Sequence, residues 1–501
     1  MKLQFRKSVK DFSKLLFSNI LVRLISIIGI AIYARYTNKT ELSVLPLYEI
    51  IGGMSMMIFN LGIPPYLVKT FSSFLKESKE KASSLVRTSY SIIIPGIFLF
   101  SALVFFYSDF IAETFFNYAD YSDFIKIFSF GFIFVGINNI NHYLFWASGR
   151  FGKDSVIQVV TQLSRTIMGL SLFLIFGLKG LVAGLVISSV ITALFSSYYV
   201  RDLLLTGRFD KKLLVEMLKD SYPFYFEGYL MYFRRQGDQL VISTFLGPEL
   251  LAIYFISKRI YEVFSSVLQM LEKVITQSLS RVKDSIEEFS QKISEIIDLC
   301  SAIIFPIIFL GIGLTPVLLP LLVGDGYTDS IIPSIILTLG LLIDFVWRTT
   351  IGRAVFFLEK SWNRFKITMV DTFFLFSFLL VLAKLGELIG VAVSRVLANI
   401  AAGIYTYFKV RKILTIKIDY PFVSITLISS IVMSSIILIA FYFYQDNILF
   451  MSISVITGII IFAVMVSIFI SKKYYRVINS FLPIKIKDPF GFLSLNLLKE
   501  N

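Results

Sequence analysis

A single cysteine, Cys300, and a single histidine, His142, stand in a chain of 501 residues. No disulfide can close within the chain, and no Cys/His metal cluster can be built from that supply. Gly-rich phosphate loops, nucleophile elbows and HExxH boxes are absent too, which removes the commonest catalytic motifs. Charge is also scarce. Asp, Glu, Lys and Arg make up 16% of the chain, where soluble chains carry about a quarter. Apolar residues take their place: the mean hydropathy is +0.78. They recur from end to end in runs of about 20 residues, each long enough to cross a bilayer core of about 30 Å. The chain therefore reads as an all-α polytopic membrane protein. A transmembrane barrel is excluded, because its spans alternate apolar and polar residues over about 10 positions.

Fourteen transmembrane helices are expected, at 15–35, 44–66, 88–107, 123–146, 155–177, 181–200, 223–246, 250–274, 297–322, 331–356, 367–384, 388–408, 421–443 and 448–471. The net charge of +14 would suit nucleic acid on a soluble protein, but here its placement gives another reading. With both termini cytoplasmic, 33 Lys and Arg outside the spans fall on the inner side. Only Arg35, Lys39, Lys179 and Lys384 fall on the outer side. Basic residues crowd cytoplasmic loops, so the expected location is the cytoplasmic membrane, with both termini inside. The basic N-terminus and first apolar run mimic a signal peptide, but the run is too long and more spans follow. The sequon Asn38-Lys39-Thr40 falls on the outer side, on too short a match to argue glycosylation.

An internal repeat organises the chain. "GLVAGLVISSVITALFSSYYVRDLL" (180–204) aligns without gaps on "GVAVSRVLANIAAGIYTYFKVRKIL" (390–414), at an offset of 210. Gly180/Gly390, Val186/Val396, Val200/Val410 and Arg201/Arg411 match in type. "ARYTNKTELSVLPLY" and "STFLGPELLAIYFI" resemble each other at nearly the same offset. The expected organisation is a six-helix lobe at 1–210, a second at 211–416, two added helices at 417–471 and a cytoplasmic tail at 472–501. An even helix number in each half makes the repeats parallel, with a substrate cavity expected between them.

Nine basic residues lie deep in the spans: Arg23, Arg165, Arg234, Arg235, Lys258, Arg259, Arg348, Arg353 and Arg395. Each costs roughly 2.5–3.5 kcal/mol at a helix centre, on the order of 20–30 kcal/mol together, too much to leave facing lipid. Lys126 and Lys273, near span ends, can snorkel to the headgroups. The deep acids are Glu49, Glu227, Asp238, Glu262, Asp344 and Asp371. Arg234/Asp238, Asp344/Arg348 and Lys258/Glu262 are spaced i,i+4, so each pair shares a helix face and can form a structural ion pair. Arg23, Arg165 and Arg395 have no acidic residue within four positions. The basic excess points to a wet cationic chamber suited to an anionic ligand, because the arginine fork can hold two phosphate oxygens at once. Span 4 adds Asn138, Asn141, His142 and Tyr143. These suit sugar hydroxyls and rings, or equally the hydrogen bonds that hold a helix bundle together.

Several stretches resemble the polysaccharide and oligosaccharide (O-antigen type) flippases of the multidrug/oligosaccharidyl-lipid/polysaccharide exporter superfamily. "IAIYARYTNKTELSVLPLY" is similar to that family's first helix and turn, and "GDQLVISTFLGPELLAIYFISKRI" to the start of its second half. "LTPVLLPLLVGDGYTDS" is similar to its ninth helix and outer loop. Lys39 stands where the family usually has proline, and Ser43 where it usually has glycine. The resemblance implies two lobes that open alternately inward and outward around a cavity. It also implies a lipid-linked oligosaccharide cargo on a polyprenyl diphosphate, with Arg23 and Arg259 the best matches for binding it. Membrane lipids and the glycosyltransferases, polymerase or ligase of the same pathway are the partners it suggests. No organic cofactor or metal is expected; the six deep carboxylates are candidates for coupling Na⁺ or H⁺.

Two other readings stay open. A cation-coupled multidrug exporter of the same superfamily needs an acidic cavity, which the basic excess disfavours. A membrane-embedded polysaccharide polymerase or ligase needs catalytic residues on a sizeable outer loop. The longest outer loop here, about 108–122, offers little catalytic chemistry.

Overall fold

The computed structural model describes residues 21–469 apart from 205–206, 281, 283, 359–360 and 444–447. The expected tail at 472–501, the start of span 1 at 15–20 and residues 470–471 of span 14 lie outside the described residues. All described residues are helix, turn or loop, with no strand among them.

Helix α1 covers residues 21–36. A single capped turn, α2 (Lys39–Leu42), then leads into α3 (Val44–Phe59). The Asn38 side chain accepts from the Glu41 N–H at 2.8 Å, and the Glu41 carboxylate accepts from the Asn38 N–H at 3.0 Å. This reciprocal cap satisfies two otherwise orphaned donors. From sequence, span 2 is expected to run to residue 66 and to be followed by a loop. Instead α3 stops at Phe59 and a separate helix, α4 (Ile63–Glu77), begins after Gly62. Pro64 and Pro65 occupy its first turn, where the missing N–H costs nothing. Gly62 has φ +70, and a Cβ there would lie 2.3 Å from the Ser221 carbonyl oxygen. Only glycine fits. Leu67 and Phe71 are buried, whereas Lys76 and Glu77 are exposed, so α4 is an amphipathic helix.

The chain continues through α5 (Lys79–Phe106), α6 (Ser108–Phe116), α7 (Tyr121–Ala147), α8 (Phe151–Leu204), α9 (Lys211–Phe245) and α10 (Pro248–Ser280). Then come α11 (Ile286–Val323), a 3₁₀ turn (Asp325–Ser330), α12 (Ile331–Ile343), a π-helical segment (Asp344–Ile351) and α13 (Gly352–Leu358). Helices α14 (Ser361–Val410), α15 (Tyr420–Phe443) and α16 (Ile448–Phe469) complete the described chain. Among the described residues nine helices are long and apolar enough to cross a membrane. Two of them, α8 and α14, are broken in the middle and supply two crossings each. Helices α9 and α10 are long enough but too polar for that group, and the described residues of α1, 21–36, are too few for it. With these three included, each of the fourteen expected spans has its helix.

Two compact units divide the chain: Met1–Phe255 with Leu375–Val391, and Ile256–Phe374 with Ala392–Asn501. In the first unit, Leu67, Phe71, Leu85, Leu144, Val200 and Met217 form one buried cluster drawn from α4, α5, α7, α8 and α9. The two arms of α8 meet at Gly169 and Gly184, where a Cβ on Gly184 would lie 2.7 Å from the Gly169 Cα. Lipid gives no hydrophobic drive between helices, so such close backbone contact supplies dispersion energy instead. In the second unit, Leu279, Phe289, Ile293, Ile351 and Val355 form another cluster. There, within the π segment, the Thr350 hydroxyl donates to the Phe345 carbonyl at 3.0 Å, five residues back.

The breaks in α8 and α14 fall at the same register of the sequence repeat. Gly177 has φ 61 and ψ −143; Glu387, 210 residues later, has φ 44 and ψ −126. The next matched pair is equally tight: a Cβ at Gly180 would lie 1.9 Å from the Leu172 carbonyl oxygen, and one at Gly390 would lie 1.8 Å from that of Leu382. One repeat meets the left-handed requirement with glycine and the other with an exposed glutamate. A side chain in that region costs about 1–3 kcal/mol. Glu387→Gly is therefore expected to raise the melting temperature of the purified protein, and Gly177→Glu to lower it. A lower melting temperature for Glu387→Gly would show that the glutamate side chain outweighs the strain.

Candidate functional site

In the first unit the deep charges gather on α3, α8 and α9. The stripe Gln158, Thr161, Gln162 and Arg165 lies on the first arm of α8. Arg165 Nη2 is 3.3 Å from Glu49 Oε1 on α3, with the two side chains 29% and 21% exposed. The Arg165 guanidinium also lies 5.5 Å from the centre of the Tyr48 ring. Tyr48 is itself held by Phe128 at 4.8 Å, so the ring is a fixed platform. Helix α1, which carries half-buried Arg23, packs on the same arm: a Cβ at Gly29 would lie 3.1 Å from the Thr166 side chain.

On α9, Arg234 and Glu227 are half-buried, Arg235 is exposed and Asp238 is buried. The Tyr254 hydroxyl donates to Asp238 Oδ2 at 3.0 Å, which ties α9 to the start of α10. The Tyr232 hydroxyl donates to the Ile50 carbonyl at 3.0 Å and seats α9 on α3.

The polar cluster of α7 separates into different environments. Asn141 is fully buried; its Oδ1 accepts from the Tyr90 hydroxyl, and its Nδ2 donates to Ser196 at 2.8 Å and Ser197 at 3.1 Å. That geometry is interhelical bonding between α5, α7 and α8. Asn138 and Tyr143 are half-buried. His142 Nδ1 lies 2.5 Å from Asp154 Oδ1, and Trp146 Nε1 and Gln158 Nε2 reach Asp154 Oδ2 at 2.9 and 2.8 Å. Asp154 is 1% exposed, so this carboxylate gathers three donors at the base of the α7–α8 hairpin. Arg150 grips Asp202 beside it with two bonds of 2.9 and 2.5 Å. The Asp202 carboxylate pushes the Arg150 pKa above the usual guanidinium value.

In the second unit three more arginines have carboxylates. Arg259 Nη1 reaches Glu262 Oε2 at 2.7 Å, a contact the spacing rule had not singled out on this helix. The i,i+3 and i,i+4 positions share one helix face, so both cations lie within reach of that carboxylate. Lys258 is half-buried on the same helix. Arg348 reaches both oxygens of Asp344 at 3.2 Å along the π segment, as the spacing implied. Arg353 pairs with Glu272 across α13 and α10 and lies 5.5 Å from the Phe356 ring centre. Asp371 is buried on α14 and Arg395 half-buried on its second arm. Sequence reasoning missed Asp154, Glu272 and the Tyr48 platform. Spacing within one helix cannot show a partner on another, and Asp154 and Glu272 sit near span ends where charge needs no explanation.

The model of a family described as polysaccharide biosynthesis protein matches residues 51–332. The chain belongs to that family. A putative O-antigen transporter from Shigella flexneri is 23% identical over 293 residues, 54% of this chain and 66% of that relative, so the match spans just under two thirds of its length. Among solved structures, a lipid II flippase, MurJ, in an inward closed conformation shares the fold with a TM-score of 0.75 at 16% identity. That likeness covers 93% of this chain and 99% of the other. An inward-facing multidrug resistance MATE transporter of the MOP superfamily matches with a TM-score of 0.58 at 13% identity, over 78% and 95%. At these identities the likeness shows the fold. Membership of this polysaccharide biosynthesis family agrees with the superfamily resemblance read from the sequence, and the likeness of fold agrees with an all-α polytopic membrane protein.

Proposed function

We propose that the chain is a flippase that carries a polyprenyl-diphosphate-linked oligosaccharide from the inner to the outer leaflet of the cytoplasmic membrane. The observation that carries this reading is the basic excess among the deep charges, nine against six. Adding Glu272, the partner of Arg353, still leaves cations in the majority. A diphosphate gains charge-assisted contacts from such a path, whereas a cationic drug would be repelled. In this reading Arg23, Arg165 and Arg259 meet the anionic head group while the lipid tail stays in the bilayer. Both termini face the cytoplasm, and the buried carboxylates Asp238 and Asp371 are the first candidates for coupling Na⁺ or H⁺.

The test is the appearance of lipid-linked glycan on the outer leaflet of cells with and without this chain. Wild type should restore it. Arg259→Lys should retain part of the transport and Arg259→Ala should lose about tenfold or more per molecule, the worth of one charge-assisted contact. Full transport by Arg259→Ala would remove that residue from the path.

A further inference from the structure

A cavity of about 620 Å³ opens at the end of the first unit opposite the base of the α7–α8 hairpin. It is formed where α2, α6, the start of α7 and the break in α8 come together, and nothing in the transport reading above uses it. Its size falls within the about 300–1,000 Å³ of small-molecule sites, but those are mostly apolar and this one is not. Glu41, Asp109, Asp120 and Asp123 line it together with Lys126 and Lys179. Both lysines are committed: Lys126 lies 3.3 Å from Asp109, and Lys179 lies 3.2 Å from Asp123. Tyr118 adds a half-buried ring, 4.8 Å from that of Tyr121.

These groups select a ligand class. Four carboxylates repel the diphosphate of a lipid carrier, and the lysine partners compete with any metal ion. An apolar ligand would strand the polar lining. A pyranose satisfies it: its hydroxyls donate to carboxylates and accept from ammonium groups, and its C–H face rests on an aromatic ring. We propose that this cavity is a saccharide subsite that holds a neutral sugar of the cargo glycan. The proposal rests on the reading of the chain as a glycan transporter. Acidic and poor in lysine and arginine, this end is the one expected to face outward, so the subsite would receive sugar after the head group has crossed.

Saturation-transfer NMR on the full-length protein in a sugar-free amphipol tests the subsite by itself, with free N-acetylglucosamine, galactose, glucose and rhamnose as probes. At least one should receive saturation. Asp120→Asn and Tyr118→Ala should weaken that binding by about tenfold. Ala119→Trp, which fills the cavity from an exposed position, should abolish it. Ile439→Ala, at an exposed position on α15 in the second unit, should leave it unchanged. Absence of saturation for every sugar, or a signal untouched by Ala119→Trp, would overturn the proposal. So would silence from the sugars combined with a calcium-induced rise in melting temperature that Asp123→Asn removes, which would make the cavity a cation site. Sugar binding with no wild-type transport of any lipid-linked glycan would sink the flippase reading and leave the subsite standing.

Discussion

Asp154→Ala is expected to destabilise the protein by about 3–5 kcal/mol, the range for breaking a buried charged network by removing one partner. Asp154 lies in the first turn of α8, where the helix dipole favours a negative charge. It is also the common acceptor for His142, Trp146 and Gln158. Alanine strands all three donors and leaves a gap where α7 and α8 start their long contact. Asp154→Asn keeps the shape but sets an amide N–H against the same donors, so an intermediate loss is expected. His142→Ala removes one charge-assisted bond, worth about 1.5–3 kcal/mol. Melting temperature and membrane abundance read these effects. A wild-type melting temperature for Asp154→Ala would show that the network contributes nothing to folding.

Most of the fold was legible because the bilayer imposes a length on every crossing. Each of the fourteen apolar runs holds a helix among the described residues, and both helix breaks fall three residues before the matched glycines Gly180 and Gly390. Helix α4 escaped notice because its apolar face continues the hydrophobic run of α3 across Gly62. The candidate charges were legible one by one, but their partners were not. Arg165 has no acid near it in sequence, and Glu49 comes from another helix 116 residues away. Asn141 shows the same limit: its letter suits a sugar or a helix contact, and only its burial against Tyr90, Ser196 and Ser197 separates the two.

The second large effect concerns Arg165, the deep arginine whose surroundings are best defined. Removing it alone takes the guanidinium from a half-buried carboxylate as well as from the path. Arg165→Gln is therefore expected to lower both abundance and transport. The pair would be costly to insert if it served only as a link, since two charges at helix centres cost roughly 2.5–3.5 kcal/mol each. Replacing both with neutral residues relieves that cost. The double variant Glu49→Gln/Arg165→Gln should regain membrane abundance, so any remaining defect belongs to transport rather than folding. Arg165→Lys should fall between, because an ammonium keeps the charge but loses the two-pronged geometry.

Transport per molecule by the Glu49→Gln/Arg165→Gln variant is the most direct measurement, taken as outer-leaflet glycan divided by membrane abundance. A cationic path for an anionic head group predicts abundance near wild type and transport reduced by about tenfold or more. Wild-type transport per molecule by the neutral pair would show that Arg165 and Glu49 only join α8 to α3, and would contradict the account.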